Sequence, residues 1–195
     1  MRRLLICVLM TLALMLTACS LPGGVSKEEE LALTIRGEYL KTDSWTGRAE
    51  LTADYGRRVY QYEITASCAD GETLLTITAP EEAAGITARI AGEESLLEYD
   101  GLSVETGPLD PKGLTPMSSV PVMLETARSG YMTACAMEED TGLLRVEYGD
   151  PEEAPDTGRV VVLWFDSVDH GLKQGEIWSD GFRVILCRWS DFVKN

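Results

Sequence analysis

The chain has 195 residues, 45% of them hydrophobic, and 17 Lys and Arg stand against 32 Asp and Glu, a formal net charge of −15. The length fits one domain of ordinary size with a real core. The charge argues against nucleic acid or an anionic lipid surface as a partner of the folded body and suits a basic protein instead.

The first element is a leader. Arg2 and Arg3 give a positive start, an apolar run from Leu4 to Met15 follows, and small residues lead into a cysteine. That order is a secretory signal, and the run is shorter than the ~20 residues a spanning helix needs. Leu16-Thr17-Ala18-Cys19 resembles the lipobox of bacterial lipoproteins. The resemblance implies a diacylglyceryl group on the Cys19 thiol and cleavage just before it. Each buried CH₂ contributes ~0.8 kcal/mol, so two acyl chains anchor firmly where one does not. The expected organisation is a signal peptide at 1–18, a lipidated cysteine and flexible tether at 19–25, and one domain at 26–195 on the extracytoplasmic face of a bacterial membrane. Cleavage removes Arg2 and Arg3 but no acid, which takes the net charge from −15 to −17.

Ser26-Lys27-Glu28-Glu29 reads as a capping box, and Leu31, Ile35 and Tyr39 follow at helical spacing, which predicts a helix from about Lys27 to Lys41. Alternation by two then takes over. Trp45, Gly47, Ala49, Leu51, Ala53 and Tyr55 face one way, and Thr46, Arg48, Glu50, Thr52 and Asp54 the other. Past a turn at Gly56-Arg57 the return run places Tyr60, Tyr62, Ile64, Ala66 and Cys68 on one side. Runs this long exceed the usual strand of about five or six residues, and long strands coil with the sheet's twist. Turn signals then recur, among them Asp70-Gly71, Asp100-Gly101, Thr141-Gly142, Asp169-His170-Gly171 and Asp180-Gly181, with short β runs between them. An antiparallel meander forming a barrel or sandwich is expected.

One segment breaks the rhythm. Between Pro116 and Gly130, residues Val120, Met123, Leu124 and Ala127 fall on one helical face, with Ser118 or Ser119 as the cap, Pro121 in the first turn and Gly130 as the stop. The body cysteines Cys68, Cys135 and Cys187 sit in apolar strand-like runs. Their spacing leaves a disulfide pair and three buried thiols equally open, and without C-x-x-C or a histidine pair it suggests no metal. The acidic runs lack the alternating ligand spacing of a calcium loop and read as solvated surface. The one histidine, His170, falls in a turn expected at the surface, and the main hydrolase and nucleotide fingerprints are absent. An enzyme is not expected, nor is a cofactor. Trp164, Trp178 and Trp189 read either as a carbohydrate-stacking face or as packing.

The order of elements resembles the LolA/LolB superfamily of lipoprotein carriers and the related germination lipoproteins of spore-forming bacteria. The pieces that carry the likeness are Trp45-Thr46-Gly47-Arg48-Ala49-Glu50-Leu51, Leu97-Glu98-Tyr99-Asp100-Gly101, and Trp164-Phe165-Asp166 ahead of Gly171-Leu172. The likeness runs from about Ser26 to Val193. It implies a mainly β (α+β) fold: a strongly curved antiparallel sheet forming an unclosed β-barrel, or half-pipe, with an N-terminal helix and a central lid helix. The arginine that latches the carrier's lid has no assignable counterpart, and Arg48 is a guess at its position.

Two functions follow from the resemblance. In the first, a membrane-anchored lipoprotein binds lipid or lipoprotein acyl chains in the concave face, with Trp45, Ala49, Leu51, Tyr60, Tyr62, Ile64, Met123, Leu124 and Ala127 as candidate lining. The same residues read equally well as a dry core. In the second, the chain is a non-enzymatic binding module that regulates another envelope protein, for example a cell-wall amidase. The sequence leans towards the first, on the strength of the central helix.

Overall fold

A computed structural model describes residues 25–153 and 157–195. The leader, Cys19 and the tether up to residue 24 lie outside the described residues. The chain forms α1 (Lys27–Tyr39), β1 (Trp45–Asp54), β2 (Val59–Ala69), β3 (Glu72–Ala79), β4 (Thr87–Ala91), β5 (Glu94–Tyr99) and β6 (Leu102–Glu105). Then come α2 (Pro116–Ser129), β7 (Met132–Met137), β8 (Leu143–Tyr148), β9 (Arg159–Asp166), β10 (Leu172–Ser179) and β11 (Phe182–Lys194).

The strands make one 11-stranded sheet in the order β6-β5-β4-β3-β2-β1-β11-β10-β9-β8-β7. Every described pairing is antiparallel, and β6 and β7 are its two free edges. The unclosed half-barrel expected from the resemblance is the fold of this chain. Its curvature has local causes. The longest strands, β2 with 11 residues and β11 with 13, coil with the twist. Register shifts at Arg48/Ala49, Glu63/Ile64 and Ile177/Trp178 bend them further.

This topology explains the central helix. The first six strands step outwards from β1 to one edge, and the next five return from the opposite edge to close on β1 through β11. The connection between β6 and β7 therefore has to cross a face of the sheet. It crosses the apolar one, so it needs an apolar stripe of its own, and α2 supplies it with Val120, Met123, Leu124 and Ala127 buried. Its N-cap is Thr115, in a capping box with Ser118, three or four residues earlier than the cap expected at Ser118 or Ser119. Pro121 thus falls in the second turn, where it leaves the Met117 carbonyl without its usual i+4 donor. The first helix starts as expected, with Ser26 Oγ accepting from Glu29 N–H at 3.1 Å and Glu29 accepting from Ser26 N–H at 2.8 Å. It ends at Tyr39, two residues early.

Alternation holds along β1, where Trp45, Gly47, Ala49, Leu51 and Ala53 are buried and Thr46, Arg48 and Glu50 exposed. On β9 it fails, since Val161 through Phe165 are all buried. Val161, Leu163 and Phe165 join the core under the helices, while Val162 and Trp164 lie on the convex face. There Arg145 covers the Trp164 ring at 5.6 Å and Glu138 Oε1 accepts the Trp164 indole N–H at 2.6 Å. Buried Glu176 accepts from Arg183 at 2.8 Å and from the Trp178 indole at 2.9 Å. Long polar side chains thus seal an apolar row from water. The three tryptophans do not share a face, because Trp189 belongs to the concave core beside Trp45 and Phe192.

Candidate functional site

The candidate site is the trough of the half-pipe and its roof. Of the nine residues expected to line it, Trp45, Ala49, Leu51, Ile64, Met123, Leu124 and Ala127 lie in one core cluster, each 4% exposed or less. Tyr62 packs at the cluster's margin. Tyr60 does not reach it. It sits near the tip of the β1–β2 hairpin, 38% exposed, stacked on Tyr62 and edge-on to Tyr55. Alternation assigned Tyr60 the correct face, but the trough ends before the strand does.

The roof lies directly on the floor. A Cβ placed on Gly175 of β10 would stand 2.5 Å from Met123 Sδ, so the bare glycine forms the notch that admits the methionine. Met117, Met132 and Met137 pack around the same cluster. At one end of the trough Tyr39 of α1 stacks on Phe192 and meets Phe165 edge-on. Burial raises the Tyr39 and Tyr148 hydroxyls, the latter to about 12. Trp189 Nε1 and Arg36 Nε are buried with no hydrogen-bond partner among the described residues.

Polar contacts hold the roof in place, and two arginines supply them. Arg36 on α1 donates to the Gly130 carbonyl at the end of α2 and lies 5.9 Å over the Tyr148 ring. Arg128 on α2 donates to the Tyr39 carbonyl at 3.1 Å and to the Thr42 carbonyl at 3.0 Å. Neither was singled out in the sequence. Arg48, the position guessed for a latch, is on the convex face, where it is 3.7 Å from Asp191 and 70% exposed.

A second set of contacts closes the end where the chain leaves α1. Glu38 accepts from His170 Nδ1 at 2.7 Å and from Lys194 Nζ at 2.7 Å, and Lys194 lies 4.8 Å over the Tyr39 ring. His170 does lie in a turn, with φ 58°. Its side chain, however, is only 18% exposed, not the surface group expected, because Glu38 draws it against α1. Lys194 and, against some burial, His170 together hold the Glu38 carboxyl below its ordinary range. Cys68, Cys135 and Cys187 are all free thiols. Among the described residues no His, Cys, Asp and Glu group is arranged to hold a metal, and no helix is long and apolar enough to cross a membrane.

Among the described residues, a groove by the second helix reaches members of the core cluster, Tyr148 and Val161. This groove of about 650 Å³ lies where the last turn of α2 meets β8 and β9, and Thr126, Tyr131, Tyr148, Arg159 and Val161 are on its walls.

No protein-family model matches the chain, and no curated protein matches it. Among solved structures it is similar to an uncharacterized conserved protein from Thermus thermophilus, with TM-score 0.52, 8% identity, and 87% and 88% of the two chains covered. It also aligns with a LolA superfamily protein from Nitrosomonas europaea, with TM-score 0.45, 12% identity, and coverage of 84% and 93%. A third is the CwlD amidase of Clostridioides difficile in complex with the GerS lipoprotein, at TM-score 0.47, 14% identity, and coverage of 90% and 100%. At such identities the likeness is one of fold.

Proposed function

We propose that this chain is a non-enzymatic docking module of the bacterial envelope, tethered to a membrane through lipidated Cys19, whose half-pipe is a rigid scaffold for a protein partner. The observation that carries this reading is the filled trough. Val120, Met123, Leu124 and Ala127 are seated on the sheet at 4% exposure or less, and Met123 occupies the Gly175 notch. An acyl chain would have to displace them. Lifting α2 away from the sheet and from α1 exposes apolar area at about 25 cal/mol per Å² and breaks the Arg36 and Arg128 bonds as well. Loss of Arg2 and Arg3 with the leader takes the net charge from −15 to −17, which favours a basic partner.

Carriage of an acyl chain is the second reading. What favours it is the groove at the end of α2, which gives onto Tyr148 and Val161, both members of the core cluster. A chain threading in there would meet the methionine-rich packing under the roof, which adapts readily to irregular shapes.

Native mass spectrometry of the full chain, taken from its own membranes in mild detergent, separates the two. Docking predicts a stoichiometric protein partner and no lipid beyond the anchor. Copurified free lipid without a protein partner overturns it in favour of carriage.

A further inference from the structure

The β6 edge of the sheet is only four residues long and carries the charge of Glu105, but the other features that usually blunt an edge are missing from it. Leu102-Ser103-Val104-Glu105 has no Pro, no Lys and no bulge against β5, and all four residues are exposed. Its hairpin turns through Asp100 (φ 49°) and Gly101 (φ 76°), the two left-handed positions a tight type I′ turn requires. Thr106 N–H donates to the Ser95 carbonyl at 2.9 Å. Ladder alternation from that bond turns the N–H and C=O of Ser103 and Glu105 away from β5, towards the open side.

The two flanks of this edge differ in chemistry. On the concave flank Tyr99, Leu102 and Val104 are 48%, 73% and 60% exposed, a strip of apolar side chains that the described residues leave open. On the convex flank a groove of about 370 Å³ is lined by Glu72, Glu93, Glu94 and Glu105. Its one base, Arg89, is already bonded to Glu72 and lies 3.7 Å from Glu98.

The geometry points to strand addition: β6 accepts an extended segment of a protein partner in which apolar residues alternate with Lys or Arg. The apolar side chains cover Leu102 and Val104, the basic ones enter the glutamate groove beside Glu94 and Glu105, and the outward groups of Ser103 and Glu105 supply the backbone bonds. This deepens the docking reading and rests on it. A second copy of the chain fits the edge badly. Antiparallel self-pairing about Ser103 joins the two convex flanks into one face and brings like charges together, which is destabilising.

The test uses the full chain in mild detergent and short fluorescent peptides of alternating Val and Lys, alternating Val and Glu, and a block arrangement of the Val/Lys composition. The alternating Val/Lys peptide binds, and the other two do not. Ser103→Pro removes an outward donor that β5 does not use, so it abolishes binding while the melting temperature holds. Glu94→Lys with Glu105→Lys weakens binding by about tenfold or more. Equal binding of all three peptides, or binding that survives Ser103→Pro, overturns the proposal. So does a chain dimer in sedimentation that Ser103→Pro dissolves. If native mass spectrometry retains a partner that Ser103→Pro fails to release, the edge is the wrong surface and the docking reading stands. If no partner is retained at all, the docking reading itself fails.

Discussion

Arg36 and Arg128 each serve the other's helix: Arg36 reaches from α1 to the Gly130 carbonyl that ends α2, and Arg128 reaches from α2 to the Tyr39 carbonyl that ends α1 and to the Thr42 carbonyl just beyond it. The last carbonyls of a helix have no partner within it, and the C-terminal end of its dipole favours a cation. One pair of side chains thus satisfies both ends and ties the roof together across the trough.

The clasp predicts a coupled loss. Hydrogen bonds to charged groups contribute about 1.5–3 kcal/mol. Arg128→Met is therefore expected to lower the melting temperature by roughly 3–12 °C, at roughly 2–4 °C per kcal/mol for a chain of this size. Arg36→Met acts similarly. The double variant loses less than the sum, since breaking either link already frees the same helix pair. Thermal melts of the four proteins check this, and strict additivity would show that the two contacts are independent.

The Gly175 notch makes a second prediction. Gly175→Ala places a methyl 2.5 Å from Met123 Sδ, and overpacking of this kind costs about 1–3 kcal/mol. Met123→Ala alone leaves a cavity and costs about 2–5 kcal/mol. In the Gly175→Ala background the same truncation costs less, because the new methyl fills part of the space. A double-mutant cycle by chemical denaturation measures the difference. Equal costs in the two backgrounds would mean that α2 is not seated on β10 in solution.

Much of the architecture was legible because it is written in local patterns. The period-two runs of β1 and β2, the capping box at Ser26 and the apolar stripe of α2 each report on neighbours within a few residues. What stayed hidden was non-local. Arg36 and Arg128 look like ordinary solvated helix residues until topology brings the two helix ends together, 86 to 94 residues apart in the chain. His170 looked exposed because nothing near it in sequence announces Glu38, 132 residues away. Tyr60 had the right parity, but parity does not say where a trough ends. The double-sided burial of β9 depends on Glu138 and Arg145 folding over Trp164, which no periodicity encodes.

The thiols make a third prediction. Cys187 is fully buried, and burial pushes its thiol up to about 12, whereas Cys68 and Cys135 are partly exposed. Thiolate is the reactive form. Mass-spectrometric mapping after maleimide treatment at mildly alkaline pH should find Cys187 unmodified in the native protein and modified after denaturation, with Cys68 and Cys135 modified first. Native labelling at Cys187 would contradict the packing of β11 against the roof.

The contacts of Glu38 set a pH dependence whose sign is fixed. Lys194 and, against some burial, His170 lower its carboxyl in the folded protein below the ordinary 4.5. Between those two values the unfolded chain binds more protons than the folded one, so stability from this group is present above 4.5 and drains away as pH falls through the folded value. Glu38→Gln removes the charge but keeps the shape. The variant should melt below wild type at neutral pH, and the gap should narrow as pH falls below 4.5 and through the lowered folded value, where the wild-type carboxyl takes up its proton. In a Lys194→Met background the Glu38→Gln substitution should cost little at neutral pH, since the ammonium is the largest cause of the lowered carboxyl. A gap that stays constant from neutral to acid pH would show that Glu38 stabilises this end of the roof by packing and not by charge.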